Sequence, residues 1–387
     1  MKKLLILTAR FPYPLEKGDK LRIYHQIKTL SKQYEIILCS LTDEQVHVHD
    51  YQEVKEYCTR IYTFKLSKIK ILKNTVRAFF SGLPFQIGYF FNQSFKAEID
   101  SIIQKEKPHH IYCQLIRMAE YVRNSNVPKT IDYMDTFSIG TKRWAENAKW
   151  FLKPIIKREA KMLAAYERIV FKDFNHHTII SEQDKNYLDI PEKEQIKIVP
   201  NGVDMNFFRP NSSIEKVYDI AFVGNMGYVP NVEGARYLVQ DILPLLIKKY
   251  PSIKILIAGA RPTALVQSLA SENVMVTGWV EDIREAYASA KIFVAPLFLG
   301  SGLQNKILEA MSMSVPCITT TLVNNAVKAI PEKAIIIADD TVQFANQISR
   351  LLDNEALINE VGENGLAYVK ANYSWESYVD ELIECFE

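Results

Sequence analysis

Short apolar runs alternate along the chain with segments whose apolar residues recur every three or four positions. Lys3 to Thr8 and Glu35 to Leu41 read as buried strands, and the amphipathic run Lys20 to Lys32 between them reads as a helix. Further strand-like runs at Ile61 to Phe64, His110 to Cys113, Thr130 to Tyr133 and His177 to Ile180 are separated by helical stretches, the longest from about Trp150 to Phe171. The pattern restarts at Tyr218 to Gly224, continues with runs at 253–259, 273–278, 291–296, 315–319 and 334–338, and includes helical stretches Val232 to Tyr250 and Ile283 to Ala290. Strand and helix in alternation predict α/β domains built on parallel sheets.

Between the two series lies Pro200 to Pro210 followed by Asn211-Ser-Ser, rich in turn formers and without a helical period. The boundary belongs there. The expected architecture is two doubly wound, Rossmann-like domains, 1–200 and 201–371, with the carboxyl ends of their strands facing across a cleft where ligands bind. Residues 372–387 form a terminal helix with Ser374 at its cap position.

At 387 residues, 48% hydrophobic and 24% charged, the chain can bury two cores. A formal net charge of +2 excludes a wholesale nucleic-acid binder but leaves room for a basic patch. Cys39, Cys58, Cys113, Cys317 and Cys385 are odd in number and lack C-x-x-C spacing, which suits core thiols in a reducing cytoplasm. No apolar run approaches the roughly 20 residues of a membrane span, and MKKLLILTA reads as a first strand rather than a signal sequence. Any membrane contact is therefore peripheral, at the cytoplasmic face. One segment suits it: residues 65–91 interleave Lys65, Lys68, Lys70, Lys73 and Arg77 with apolar side chains, although a core helix with a solvated lysine face is the plainer reading.

The chemistry concentrates at LGSGLQNKILEAM, residues 299–311. Gly300-Ser301-Gly302 opens a helix, but Asn305 stands where a dinucleotide fingerprint needs its third glycine. A helix start offers backbone N–H groups and a positive dipole end to a phosphate. Lys306 adds a full charge, and Glu309, roughly 10 Å along the helix from Gly302, suits the paired hydroxyls of a ribose. The plainer reading is a glycine turn with Lys306 and Glu309 as a surface ion pair.

The segment PLFLGSGLQNKILEAMSMSVPCI resembles the donor-binding segment of retaining GT-B glycosyltransferases of the family-four group. VPNGVDMNFFRP, DIAFVGNMGYVPNVEGARYL, ILIAGARP and VTGWVEDIREAYASAKIFVAP extend the likeness over the second half. LTARFPYPLEKGDKLRIYHQI and YMDTFS extend it to the first, where it resembles bacterial exopolysaccharide sugar transferases. The resemblance implies a nucleoside-diphosphate sugar as donor substrate, a glycan or lipid-linked acceptor, retention at the anomeric carbon, no metal and no other cofactor. Of the family's E-x7-E pair, Glu309 matches the ribose-binding member, whereas Ser301 stands in the first position. The family's Arg/Lys clamp after the first donor-domain strand is replaced by Gly224-Asn225-Met226-Gly227-Tyr228, leaving Arg261 and Lys306 to face the diphosphate and Asn225 to line it. Trp279 and Val280 fall near the nucleobase by resemblance, and core packing accounts for Trp279 equally well. The resemblance also returns the terminal helix to the first domain.

On the acceptor side, Gly18, Asp19 and Arg22 lie where the first strand joins its helix; Asp19 is also a plain N-cap. Asp132 and Asp135 close a predicted strand, and Asp135, nearer the loop, is the preferred group to orient or accept the acceptor proton. A turn-forming aspartate is the alternative. The candidate catalytic set is thus Asp135, Asp19 and Lys306. The histidine pairs and His47-Val-His49-Asp50 lack complementary metal ligands at recognised spacing. Other readings are a same-fold epimerase, a sugar-nucleotide binder without turnover, and an NAD-dependent dehydrogenase, the last disfavoured because no G-x-G-x-x-G follows the first strand.

Overall fold

Seven strands form one parallel sheet: β1 (Lys2–Thr8), β2 (Tyr34–Thr42), β3 (Arg60–Lys65), β4 (His110–Gln114), β5 (Lys129–Asp132), β6 (His176–Ile179) and β7 (Lys197–Ile198). Their spatial order is β3-β2-β1-β4-β5-β6-β7. Leu4, Leu5, Ile6 and Leu7 are all inaccessible to solvent, because a central parallel strand is covered on both faces and so needs a continuous apolar run. A second sheet joins β8 (Tyr218–Val223), β9 (Ile255–Ala258), β10 (Val274–Gly278), β11 (Ala290–Ala295), β12 (Cys317–Thr319) and β13 (Ile336–Ile337) in the order β10-β9-β8-β11-β12-β13. Both orders are doubly wound and reverse direction beside the first strand of the sheet, between β1 and β4 and between β8 and β11. This computed structural model describes all residues except 16, 43–44, 68–70, 72–73, 75–77, 79–81 and 300–302. The chain divides into two compact units, Met1–Pro200 with Trp375–Glu387, and Asn201–Ser374.

The helices used below are α1 (Gly18–Leu30), α2 (Phe137–Asn147), α3 (Lys153–Asp173), α4 (Val229–Tyr237), α5 (Ile283–Ala288), α6 (Asn305–Ser312) and α7 (Trp375–Ile383). Two differ from the sequence pattern for reasons of proline chemistry. The stretch from Trp150 begins only at Lys153, with Pro154 in the first turn of α3, where its missing N–H costs nothing. The run Val232 to Tyr250 is not one α-helix: a π-helical turn, Leu238–Ile242, separates α4 from a short helix at Leu243–Ile247 that carries Pro244 in its first turn. Proline cannot donate to the carbonyl four residues back, so the hydrogen-bond register shifts there.

Helix α7 packs in the first unit. Val379, Leu382 and Ile383 share a core with Leu4 and Ile6 of β1 and Ile23 and Ile27 of α1. The Trp375 ring stacks on His25, with centroids 5.0 Å apart and planes 13° from parallel.

Beneath this core sits a charge pair without solvent access. Arg22 Nε donates to Asp132 Oδ2 at 2.6 Å and Arg22 Nη2 to Asp132 Oδ1 at 3.1 Å. Thr178 Oγ1 donates to Asp132 Oδ1 at 2.9 Å, and the Tyr112 hydroxyl lies 3.0 Å from both Asp132 Oδ2 and Gln26 Oε1. One carboxylate thus ties α1 to β4, β5 and β6. Arg22 was expected to meet an acceptor; it is instead fully buried, and its guanidinium is held by Asp132. Removing one member of a buried pair strands the other charge, so Asp132→Ala is expected to destabilise the first unit by about 3–5 kcal/mol. Urea unfolding checks this, and an apolar pair, Arg22→Met with Asp132→Leu, recovers part of the loss.

Candidate functional site

In the second unit the switch point lies between the carboxyl ends of β8 and β11, and the residues there are built around two glycines. Gly259, just after β9, has φ +138°, and a Cβ on it would stand 1.8 Å from the carbonyl oxygen of Gly224. No other residue permits this approach. A Cβ on Gly224 would lie 2.8 Å from Asn231 Nδ2 and 3.1 Å from Lys306 Nζ. The two loops are stitched by Gly224 N to Ala258 O at 3.0 Å and Met226 N to Ala260 O at 2.8 Å. Asn225 serves this loop from within: its side-chain oxygen accepts from Gly227 N at 3.0 Å, and its carbonyl accepts from Asn231 Nδ2 at 2.9 Å.

Asn231 on α4 then turns its side-chain oxygen to Lys306, which donates to it from the first turn of α6. The ammonium also lies 5.5 Å from the centroid of the Phe222 ring, a cation–π contact. Lys306 retains some solvent access, yet crowding by protein disfavours its charge and brings its pKa down to about 8, opposed by nearby Glu309. Glu309, one turn on, accepts from the Tyr287 hydroxyl of α5 at 2.6 Å. Burial raises the Glu309 pKa, while the Tyr287 bond and Lys306 act against it. The surface ion pair is therefore not what forms: Lys306 and Glu309 take different partners, an amide and a phenol.

Helix α6 starts at Asn305, so Lys306 occupies its first turn and Glu309 follows on the same side. Asn305 itself accepts a bond from the buried Asn201 at 3.2 Å. Gly300, Ser301 and Gly302 lie outside the described residues. Arg261 follows Gly259-Ala260 with φ +56° and is exposed; Val280 is half-buried. Trp279 is 68% exposed, so core packing does not account for it.

The first unit gathers charge at the equivalent place, after β1, β4 and β5. Arg10 Nη1 donates to Asp19 Oδ2 at 2.5 Å, and Gln114 Nε2 donates to the Asp19 carbonyl at 2.7 Å. Asp19 is not the N-cap. Lys17 holds that position without a side-chain bond, and Asp19 lies inside the first turn, where its charge still favours the helix dipole. Gly18 opens α1 with free space where a Cβ would stand. Arg117, after β4, is sandwiched with ring centroids of Phe137 and Phe90 at 4.5 and 5.1 Å and donates to Gln86 at 2.8 Å. Burial, then the like charge of Arg10, lowers its pKa to about 10, against the pull of Asp19 and Asp135.

Asp135 is open to water but recessed among protein and other acids. Desolvation first, then Asp184, Glu167 and Asp19, raise its pKa to about 7, partly offset by Arg117. Asp132 is already saturated with donors, so of the two strand-end carboxylates Asp135 is the one with a side chain facing water. A pocket of about 230 Å³ opens beside Arg10, lined also by Tyr13, Lys17, Lys20, His47 and Asp50. Of the cations in segment 65–91, for which lipid contact was weighed, Lys68, Lys70, Lys73 and Arg77 lie outside the described residues. His110 and His177 are packing groups: they bond Thr130 Oγ1 and Phe171 O, each at 2.8 Å, and burial lowers their pKa values to about 3 and about 4.

Asn231, Tyr287, Gly259 and Arg117 were not picked out from the sequence. Asn231 and Tyr287 sit within helical runs and look there like ordinary face residues.

Two doubly wound units, one with a lysine and a glutamate presented at its switch point, have the GT-B architecture of solved glycosyltransferases. Residues 217–354, within the second unit, match the family described as glycosyl transferases group 1. The chain is 23% identical over 393 residues to an uncharacterized 44.6 kDa protein in the cps region of Klebsiella pneumoniae, covering 96% of this chain and 97% of that one. It is 25% identical over 258 residues to the capsular polysaccharide biosynthesis glycosyltransferase CapM of Staphylococcus aureus, covering 60% of this chain and 64% of CapM. Among solved structures, Anabaena HepE in complex with UDP and glucose has the same fold, with a TM-score of 0.69 at 11% identity over 99% of each chain.

A lysine with a pKa near 8 gives a pH signature. The protonated form prevails below about pH 8, so affinity for a nucleoside diphosphate is expected to fall as pH rises through and beyond that value. Calorimetric titration with UDP and GDP checks this. Lys306→Arg, which keeps its charge, should flatten the profile.

Proposed function

We propose that the chain transfers a sugar from a nucleoside-diphosphate sugar to a glycan or lipid-linked acceptor, with retention and without a metal, in the synthesis of a bacterial surface polysaccharide. The observation that carries the reading is the aimed lysine: Lys306, held by Asn231 and Phe222 at a glycine-lined switch point, with Glu309 a turn along the same helix. A diphosphate at the glycine loops would meet Lys306 and the first turn of α6, and the ribose hydroxyls would meet Glu309. Arg261 is the second cation toward the diphosphate, Ser301 the partner for the donor sugar, and Trp279 and Val280 the neighbours of the base. The cps-region relative and CapM support the polysaccharide setting, and HepE with UDP and glucose supports a nucleotide-sugar donor.

In the reaction the bond from the anomeric carbon to the diphosphate oxygen breaks, and the acceptor hydroxyl oxygen bonds to that carbon. Negative charge grows on the departing diphosphate, which is where Lys306 and helix amides lower the barrier. The acceptor proton passes to Asp135 or to the leaving phosphate itself. Gly18 and Asp19 flank the acceptor, and the Arg10 pocket is its entry in the first unit.

Screening nucleotide sugars by thermal shift, followed by mass spectrometry of products on a lipid-linked glycan panel, tests the reading. Lys306→Ala and Glu309→Gln are each expected to lower transfer by at least about a hundredfold; full activity in both sinks the site assignment. Nucleotide binding with no product on any acceptor would favour a binder without turnover, a reading motivated by Ser301 and the missing Arg/Lys clamp.

If Asp135 takes the proton, kcat/KM rises with pH through about 7, as the carboxyl ionises. Asp135→Asn should then remove that limb and lower the rate by about a hundredfold. A profile unchanged by the substitution assigns the proton to the leaving phosphate.

A further inference from the structure

Helices α2 and α3 form an antiparallel hairpin whose inner faces pack against each other; Ala145, Ile156, Ala160 and Leu163 are buried. Its tip is built the opposite way. Trp150 is 83% exposed, the highest value for a large hydrophobic side chain among the described residues, and Trp144, Phe151, Leu152 and Ile155 are exposed around it. Scattered exposed apolar residues are ordinary, but two tryptophans, a phenylalanine and two aliphatics on one turn and its flanks are an apolar patch that water does not favour.

Charge around this patch is predominantly positive. Residues 142–161 carry seven Lys and Arg against two Glu, a net of +5, although the whole chain is only +2. One of the two acids, Glu159, is buried and accepts from the backbone N–H groups of Phe85 and Gln86 at 2.8 and 3.0 Å, so it does not face outward. Lys153, Lys157 and Lys161 recur every four residues along one line of α3, and Lys149 sits at the turn itself.

We infer that the α2–α3 tip is a docking surface for an anionic lipid bilayer, with Trp150, Phe151 and Leu152 entering the interface and the lysines resting on the headgroups. Tryptophan concentrates at membrane interfaces because its ring is amphipathic, and each basic residue near an anionic leaflet adds attraction that salt weakens. A second copy of the chain is a poorer occupant: a two-fold contact would set this patch against itself, cation facing cation. Single-stranded nucleic acid could stack on the aromatics, but gains little from Leu152 and Ile155. No helix among the described residues is long and apolar enough to cross a membrane, so the contact is a surface one. The inference does not rest on the transferase reading, since docking is measured without turnover.

The test uses the full chain and co-sedimentation with vesicles of phosphatidylcholine alone or mixed with phosphatidylglycerol. Binding is expected only with phosphatidylglycerol and should weaken as salt is raised. Trp150→Ser with Phe151→Ser, and separately Lys149→Glu with Lys153→Glu, should each reduce binding by about tenfold or more. Their thermal midpoints should match the unaltered chain, because Trp150, Phe151 and Lys149 are exposed and Lys153 lies at the helix start. The proposal is overturned by absence of phosphatidylglycerol-dependent binding at low salt, or by variants that bind as well as the parent. It is equally overturned if the variants abolish self-association or oligonucleotide binding while vesicle binding is missing.

Discussion

The switch-point arrangement of the second unit depends on a contact that only two glycines can make. Because Gly259 lies where any Cβ would enter the Gly224 carbonyl, the loops after β8 and β9 run against each other and are locked by main-chain bonds. That lock sets the Asn225 carbonyl, which holds the amide nitrogen of Asn231, whose oxygen in turn takes Lys306. Position is handed from backbone to side chain to side chain. An asparagine suits the middle of this chain, since its amide donates at one end and accepts at the other.

The two units treat buried charge in opposite ways. In the first, Arg22 meets a carboxylate and the neighbouring hydroxyls complete that carboxylate's bonds, so nothing is left over to bind a ligand. In the second, Lys306 meets a neutral amide and an aromatic face, and its nearest acid is turned to Tyr287. An amide orients an ammonium without neutralising it. The depressed pKa is the visible cost, and an incoming dianion would reverse it by supplying the missing counter-charge. The same logic separates Asp132 from Asp135: the first is saturated with donors, and the second faces water with its pKa raised by desolvation and by neighbouring acids.

Much of this was legible in the pattern of the chain. Each strand sits close to where its apolar run lies, since a parallel strand covered on both faces must be uniformly apolar, as β1 and β9 are. Helix breaks were less legible: Pro154 and Pro244 act through a hydrogen bond that cannot be made, and the apolar period runs on past them. At the switch point of the second unit the charged members, Lys306 and Glu309, stand out in the sequence beside a run of glycines. Their positioning partners do not, because Asn231 and Tyr287 acquire meaning only when helices far apart in sequence are brought together. Arg22 shows the reverse error: next to a glycine loop it looks like a ligand, and burial beside β5 turns it into a strut.

The α2–α3 tip marks the same limit from the surface. In sequence, Trp150-Phe151-Leu152 looks like the first buried turn of a long amphipathic helix, and nothing local says otherwise. With Pro154 in its first turn, α3 starts at Lys153, directly after that triplet, which leaves all three outside the helix and off its buried stripe. Apolar side chains are then stranded on a turn whose surroundings are strongly cationic. A core cannot use them and water does not favour them. The environment that satisfies both the rings and the charges is one apolar within and anionic at its surface, which is the description of a lipid leaflet.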